Sequence, residues 1–418
     1  MNIQVKTKFI KSSYTNSPQI NGMFGSLVKV LKAVLVDGFN ELSVTKGVYD
    51  NSKKQIELFF TRGHGFGVTS VVSISGSSDP KLDKEFRVIE SRLDSIILHS
   101  EDPVNLSDVS NIKVKFAPLG YELVYDDITN EGIACFKSKD GNILKVIDAP
   151  LNGYDTSWTK YARVVAGNSI DGGGDFINNQ KFPKHNTYPN LEKTGNGPAG
   201  SGQVGYLSWE YARPVQDNSY YGYVDQATGF ISNWSIIGDD RTFYLFIDNM
   251  GPTIDSRNIC TFGAIERDTI GSCILVGSDV SAVNSNQYNA EYYGTSGRNS
   301  FTNMQHNIGC FINKSSEGNN ADQLNFNLYH VTLDESNVTN QGLNEGNNPN
   351  NFYTPITIVD AYKNVRGNLR GIYQLYNNSL NNNMFLDNYK KVVVRVRYYG
   401  TDQPPYQIPY LFSLEDWQ

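Results

Sequence analysis

Few side chains in this sequence stand at spacings that chemistry requires, and each has a competing structural use. Asp171 and Asp175 flank Gly172, Gly173 and Gly174, and carboxylates on a flexible loop can cradle a calcium ion. The spacing lacks the regular oxygen ligands of a helix–loop–helix calcium site, so a mobile glycine-rich loop is expected instead. His64 lies between Gly63 and Gly65, where an imidazole can serve as a general base. No Ser or Cys nucleophile motif accompanies it, which favours an exposed turn histidine. His99, His185, His306 and His330 show no metal-ligand spacing. Asp239 and Asp240 beside Arg241, and Glu266 with Asp268, offer the two carboxylates that glycoside hydrolysis needs. Adjacent carboxylates on a turn point in opposite directions, so solvated side chains are the expectation. The loop aromatics Tyr220, Tyr221, Tyr223, Tyr292 and Tyr293 can stack on sugars or bury against a neighbouring subunit, and the second use is favoured. Cys135, Cys260, Cys273 and Cys310 are far apart, without the close pairing of a zinc site, and read as buried free thiols. The expectation is a protein that is not an enzyme, with no catalytic residue, no metal and no cofactor.

The element that must organise these residues is a hairpin over 229–248. Trp234 to Ile237 and Thr242 to Ile247 are β-branched and aromatic, and Gly238, Asp239, Asp240 and Arg241 between them are turn chemistry. Phe243, Tyr244, Leu245 and Phe246 leave no polar alternation. That pattern predicts strands covered on both sides, inside a large sheet or between layers.

Elsewhere the chain reads as strands and turns. Residues 1–20 are polar and predict a short extended arm that packs on a neighbour after assembly. Over 26–36, Leu27, Val28, Val30, Leu31, Val34 and Leu35 recur at helical spacing opposite Lys29 and Lys32, with Gly25 and Ser26 as cap candidates and Gly38 as the stop. This predicts an amphipathic helix lying on a sheet. Short strands are expected over 44–48, 55–60, 68–75, 86–90, 95–98, 114–116, 121–125, 134–136 and 142–147. Together they suggest a small antiparallel barrel or sandwich ending near 150. A larger β-sandwich-like domain follows over 151–418, with strands near 158–165, 206–211, 259–266, 272–276, 323–333, 356–359, 369–376 and 392–399. Long insertions interrupt it: the glycine-rich 167–205 stretch and the Asn-rich 284–300 and 313–352. The Pro- and aromatic-rich 403–418 reads as an extended tail.

Composition agrees with a mainly β protein: 26 Tyr, 21 Phe and 37 Gly stand against only 19% charged residues. A net charge of −7 without a basic stripe argues against a nucleic-acid partner. Lys390, Lys391, Arg395 and Arg397 come closest and read as a solvated strand face. The N-terminal residues lack an apolar core, and no run reaches the roughly 20 residues of a membrane span. Synthesis in a reducing cytoplasm is expected.

Several segments, taken in order, resemble a family of tailed-bacteriophage virion proteins. They are Asn21-Gly22, Gly25 to Leu27, Leu31 and Leu35 to Asn40; Ala117 to Glu122; Trp234 to Leu245 with its Gly-Asp-Asp-Arg-Thr-Phe-Tyr-Leu core; Phe262-Gly263; and Arg366 to Tyr373. The sequence departs from the family in its Asn-rich insertions and around Cys260 to Asp268. The resemblance implies a structural component of a virion, in the neck, tail or baseplate, made in the host cytoplasm. Its partners would be other virion proteins and copies of itself. Two other roles are compatible with it: a receptor- or host-glycan-binding virion protein, and a capsid decoration protein.

Overall fold

The computed structural model describes residues 7–151, 160–177, 181–182, 191–194, 206–212, 231–248, 257–266, 272–276, 278–279, 308–312, 324–329, 353–360, 365–375, 383–386, 389–398, 406–415 and 417. The protein is mainly β, 53% strand and 6% helical, in curled antiparallel sheets.

The central hairpin forms as its sequence requires. Ile231–Gly238 pairs with Thr242–Asp248, from Asn233 opposite Asp248 to Gly238 opposite Phe243. Alternation then sends Phe243, Leu245 and Ile247 into one core and Tyr244 and Phe246 into another. All five are 0–1% exposed, and full burial of such a side chain is worth about 1.5–3 kcal/mol. The pair lies inside a 13-stranded sheet, flanked by Lys8–Lys11 on one side and Arg257–Glu266 on the other.

That outer neighbour corrects the expected arm. Lys8 to Lys11 pair with Gly238 to Ser235, and Phe9 and Ile10 enter opposite cores. Lysines at 8 and 11 disguised the strand, because Lys8 is itself buried and paired with Glu85. Beyond Arg257–Glu266 the sheet runs through Ser272–Val276, Ile308–Ile312, Leu324–Tyr329, Tyr353–Asp360 and Val365–Leu375. It curls until Ile265 and Glu266 pair back onto Leu369 and Asn368. The expected C-terminal tail is likewise a strand. Tyr406–Ser413 lies between Val365–Leu375 and Lys391–Tyr398, and it tolerates Pro409 opposite Arg395.

A second sheet orders Glu122–Asp127, Ile133–Lys137, Ile143–Ile147, Lys160–Gly167, Leu207–Ala212 and Ser278–Asp279, with Lys181–Phe182 on Lys160–Gly167. Its pairing continues across 148–150, where the sequence suggests a domain boundary: Ile147 stands opposite Arg163. Ala134, Phe136, Leu144, Val146, Ala162 and Val164 share a core with Trp234, Ile236, Phe243 and Leu245 of the first sheet. A third sheet of seven strands spans Phe39–Ser43 to Lys113–Phe116. Its two edge strands, Phe39–Ser43 and Lys46–Asp50, are consecutive in sequence. Between them the Val44 amide donates to Ile112 O and the Thr45 amide to Phe59 O.

The helix is present as a single short element that is not clearly amphipathic. Ser26–Lys32 is α-helical and Ala33–Asp37 widens to π, closed by Gly38 N–H donating to Ala33 O. Ser26, Leu27, Val28, Val30, Leu31, Val34 and Leu35 are buried, Lys29 is exposed, and Lys32, Ala33 and Val36 are half-buried, so most of the element's surface is sunk in the core. Among the described residues no helix is long and apolar enough to cross a membrane.

Gly371 shows how tightly the last described residues are seated. Its φ is 66°, and an added Cβ would collide with the Trp417 indole. Gly371→Ala should therefore destabilise the chain by about 1–3 kcal/mol through strain and overpacking. Gly63→Ala meets open space and should change little. Urea midpoints of the two variants check this, and equal midpoints would contradict the packing.

Candidate functional site

The turn of the central hairpin holds its carboxylates apart. Asp239 is 0% exposed and bound to Arg370, itself 2% exposed: Nη2 lies 3.0 Å from Oδ2 and Nη1 3.3 Å from Oδ1. The amides of Arg241 and Thr242 also donate to Asp239 Oδ1, both at 2.9 Å, the way an Asx turn ties its own backbone. Arg370 Nη2 donates further to Trp417 O, and its guanidinium stands 5.8 Å from the Trp417 ring centroid. Asp240 points away to Lys139 Nζ at 3.1 Å. The paired carboxylates considered for glycoside hydrolysis are thus one half of a buried ion pair and one half of a surface one, which does not open two faces to a sugar. Of the other pair, Glu266 belongs to the sheet, and Asp268 lies outside the described residues.

Several segments distant in sequence meet around this ion pair. Tyr244 Oη donates to Arg370 O at 2.9 Å. Gly263, at φ 142°, lies against Arg241 and Thr242, where a Cβ would clash. Tyr121 packs edge-on against Phe243 at 5.7 Å, while the amides of Leu119, Gly120 and Tyr121 donate to Val34 and Leu35 carbonyls at the end of the helix. These carbonyls have no partner within a helix that stops there. At its other end the Leu27 and Val28 amides donate to Asp148 Oδ2 at 2.9 and 3.1 Å. Gly25 is the N-cap residue, as expected, but without a side-chain bond; Asp148 supplies the carboxylate that these amides need. Burial pushes its carboxyl up, and hydrogen bonds from Tyr211 and the helix amides oppose that.

The glycine-rich stretch is ordered by charge. Asp171 Oδ1 accepts from the Gly173 and Asp175 amides at 2.8 and 3.0 Å, making a closed turn rather than the expected mobile loop over 171–175. Asp175 faces Lys145 Nζ and Lys193 Nζ, each at 2.7 Å. Burial would raise the Asp175 carboxyl, but the hydrogen bonds from the two lysines hold it below its usual value. Glu192, on the short helix Leu191–Thr194, is 1% exposed and takes Lys181 Nζ on both oxygens, at 2.7 and 2.6 Å. Lys145, also 1% exposed, lies 3.8 Å from Glu192 Oε1. Burial pulls Lys181 down against Glu192, which pulls it up. Arg163 closes the far side, donating to the Glu192 and Lys193 carbonyls. This cluster matches no sequence motif. Its signal was Lys145 in the middle of Ile143-Leu144-Lys145-Val146-Ile147, since a lysine in an apolar strand must find a buried partner.

The remaining candidates divide plainly. His64 is buried, not exposed: Nε2 faces the Arg92 and Ser95 carbonyls at 2.8 and 3.1 Å, and Nδ1 accepts from the Phe66 amide at 3.0 Å. Both ring nitrogens are thereby committed to backbone. Cys135, Cys260 and Cys273 are free and buried; the Cys310 side chain lies outside the described residues. So do Tyr220, Tyr221, Tyr223, Tyr292 and Tyr293. Among the described residues no group of three or more His, Cys, Asp or Glu could hold a metal ion.

Two measurements follow from this geometry. Asp239→Asn and Arg370→Met should each cost about 3–5 kcal/mol, because each strands a buried partner, and the double variant should cost much less than their sum. Additive losses in a urea double-mutant cycle would rule out the coupling. Burial pushes the Cys135 thiol up to about 12, so the thiolate is scarce at pH 8 and the native chain should resist iodoacetamide at Cys135 until denatured, as read by mass spectrometry. No protein-family model matches the chain, and no curated protein is significantly similar to it.

Proposed function

We propose that this chain is a structural component of a tailed-phage virion, placed in the neck, tail or baseplate and joined to copies of itself and to other virion proteins. The observation that carries the proposal is where the resemblance segments lie. Leu35, Leu119 to Tyr121, the 239–244 turn, Gly263 and Arg370, drawn from five segments, meet at the buried Asp239–Arg370 junction and the helix end beside it. Residues that close a framework in this way speak for a shared architecture, whose activity need not be chemical. On this reading the Gly- and Asn-rich insertions reach to neighbouring subunits. Buried ion pairs and curled sheets suit a part that carries load through subunit contacts.

Immunogold electron microscopy with an antibody to the 344–351 peptide, on particles purified from a lysate in which the chain is made, tests the assignment. Label at the neck, tail or baseplate is the expected result. Label confined to the capsid would replace it with a decoration role. Unlabelled particles, with a denatured blot showing that the chain is absent from them, would overturn the virion reading.

A further inference from the structure

The lysine–carboxylate cluster contains an arrangement that ion pairing alone does not require. Lys145 Nζ is hydrogen-bonded to Asp175 Oδ1 at 2.7 Å, which brings the amine within about 3.5 Å of the carboxyl carbon, the separation of a near-attack pair. Its neighbours along the sheet are apolar. Cys135 and Val165 are its cross-strand neighbours, on the face that carries Ile143, Tyr161, Phe176 and Tyr206. Glu192 Oε1 lies 3.8 Å from the same nitrogen, and Lys193 Nζ lies 2.7 Å from the Asp175 carboxylate.

We propose that Lys145 and Asp175 condense into an intramolecular isopeptide bond, with Glu192 carrying the proton and Lys193 holding the oxyanion. As an ion pair the carboxylate is not electrophilic. The reactive form arises when one proton crosses the Lys145–Asp175 hydrogen bond, giving a neutral amine and a carboxylic acid, a minor form beside two lysines that condensation draws off. The nitrogen lone pair then forms the Nζ–Cγ bond. Glu192 accepts a second proton from Nζ and returns it to the departing hydroxyl as the Cγ–O bond breaks. One ammonium and one carboxylate become one secondary amide and one water, with no change of oxidation state and no co-reactant. The step removes one ammonium and one carboxylate together, so the net charge of the cluster is unchanged, and Glu192 keeps Lys181 on both oxygens. The bond would tie the Asp171–Asp175 turn covalently to the Ile143–Ile147 strand.

The test is the intact mass of the full folded chain after purification and denaturation. The expected mass is lower than that of the sequence by one water. A tryptic digest should then give a branched peptide joining the segments of Lys145 and Asp175, with no cleavage after Lys145. Asp175→Ala and Lys145→Met should each restore the full mass, and Glu192→Gln should slow the loss of water. A wild-type chain that keeps its full mass while folded overturns the proposal without recourse to any variant. Water loss with Lys145 and Asp175 in separate linear peptides also overturns it, because succinimides at Asp171-Gly172 or Asp140-Gly141 lose the same water.

Discussion

The Asp239–Arg370 ion pair is the contact on which most of the described architecture turns. It joins a hairpin turn to a strand 131 residues later at a point where neither charge reaches solvent. Desolvating two ions costs several kcal/mol each, and only close geometry with further hydrogen bonds repays it. Here the carboxylate also takes two backbone amides, and the guanidinium also takes Thr242 Oγ1 and Trp417 O. Such a pair adds little net stability over a well-packed apolar core. It specifies instead: a register shift of one residue in Val365–Leu375 would turn Arg370 to the other face and strand Asp239.

Other buried or half-buried charges serve the same end at other joints. Lys8 links the first strand to Glu85 and to the Pro118 carbonyl. Arg87 donates to Thr7 O, Thr69 O and Leu414 O, so three segments far apart in sequence are fixed by one guanidinium. Asp148 anchors the helix to the second sheet, and Tyr211 donates to its other oxygen. In each case the long-range contact is polar and fully partnered, and the apolar cores on either side are less particular about which strands they join. A β-rich chain with many non-local pairings benefits from such checkpoints, because hydrophobic burial by itself tolerates wrong registers.

This use of charge bears on function. Carboxylates and an imidazole that in isolation resemble catalytic groups are here spent on arginine, lysine, backbone amides and carbonyls. The proposed role in a virion asks of a protein that its framework hold and that its surface meet neighbours. A cross-link between Lys145 and Asp175 would extend the same logic from ionic to covalent fixation, at a turn that otherwise rests on hydrogen bonds.

The sequence by itself determined the β-rich class, the central hairpin with its two covered faces, the helix near the start and the positions of most strands, because alternation and turn residues are local signals. Ser272–Val276 matches its expected span, and 234–237 and 242–247 fall within theirs. What it could not determine were the properties set by distant partners. Whether His64 is exposed depends on the Arg92 and Ser95 carbonyls. Whether Asp239 is solvated depends on Arg370, and whether 171–175 is mobile depends on Lys145 and Lys193. The strands at Lys8–Lys11 and Tyr406–Ser413 are hidden by lysines and prolines that only their sheet neighbours make tolerable. Period and propensity are written into a few adjacent residues, while burial and pairing of charge exist only once segments far apart in the chain have met, and that meeting is decided by the tertiary structure.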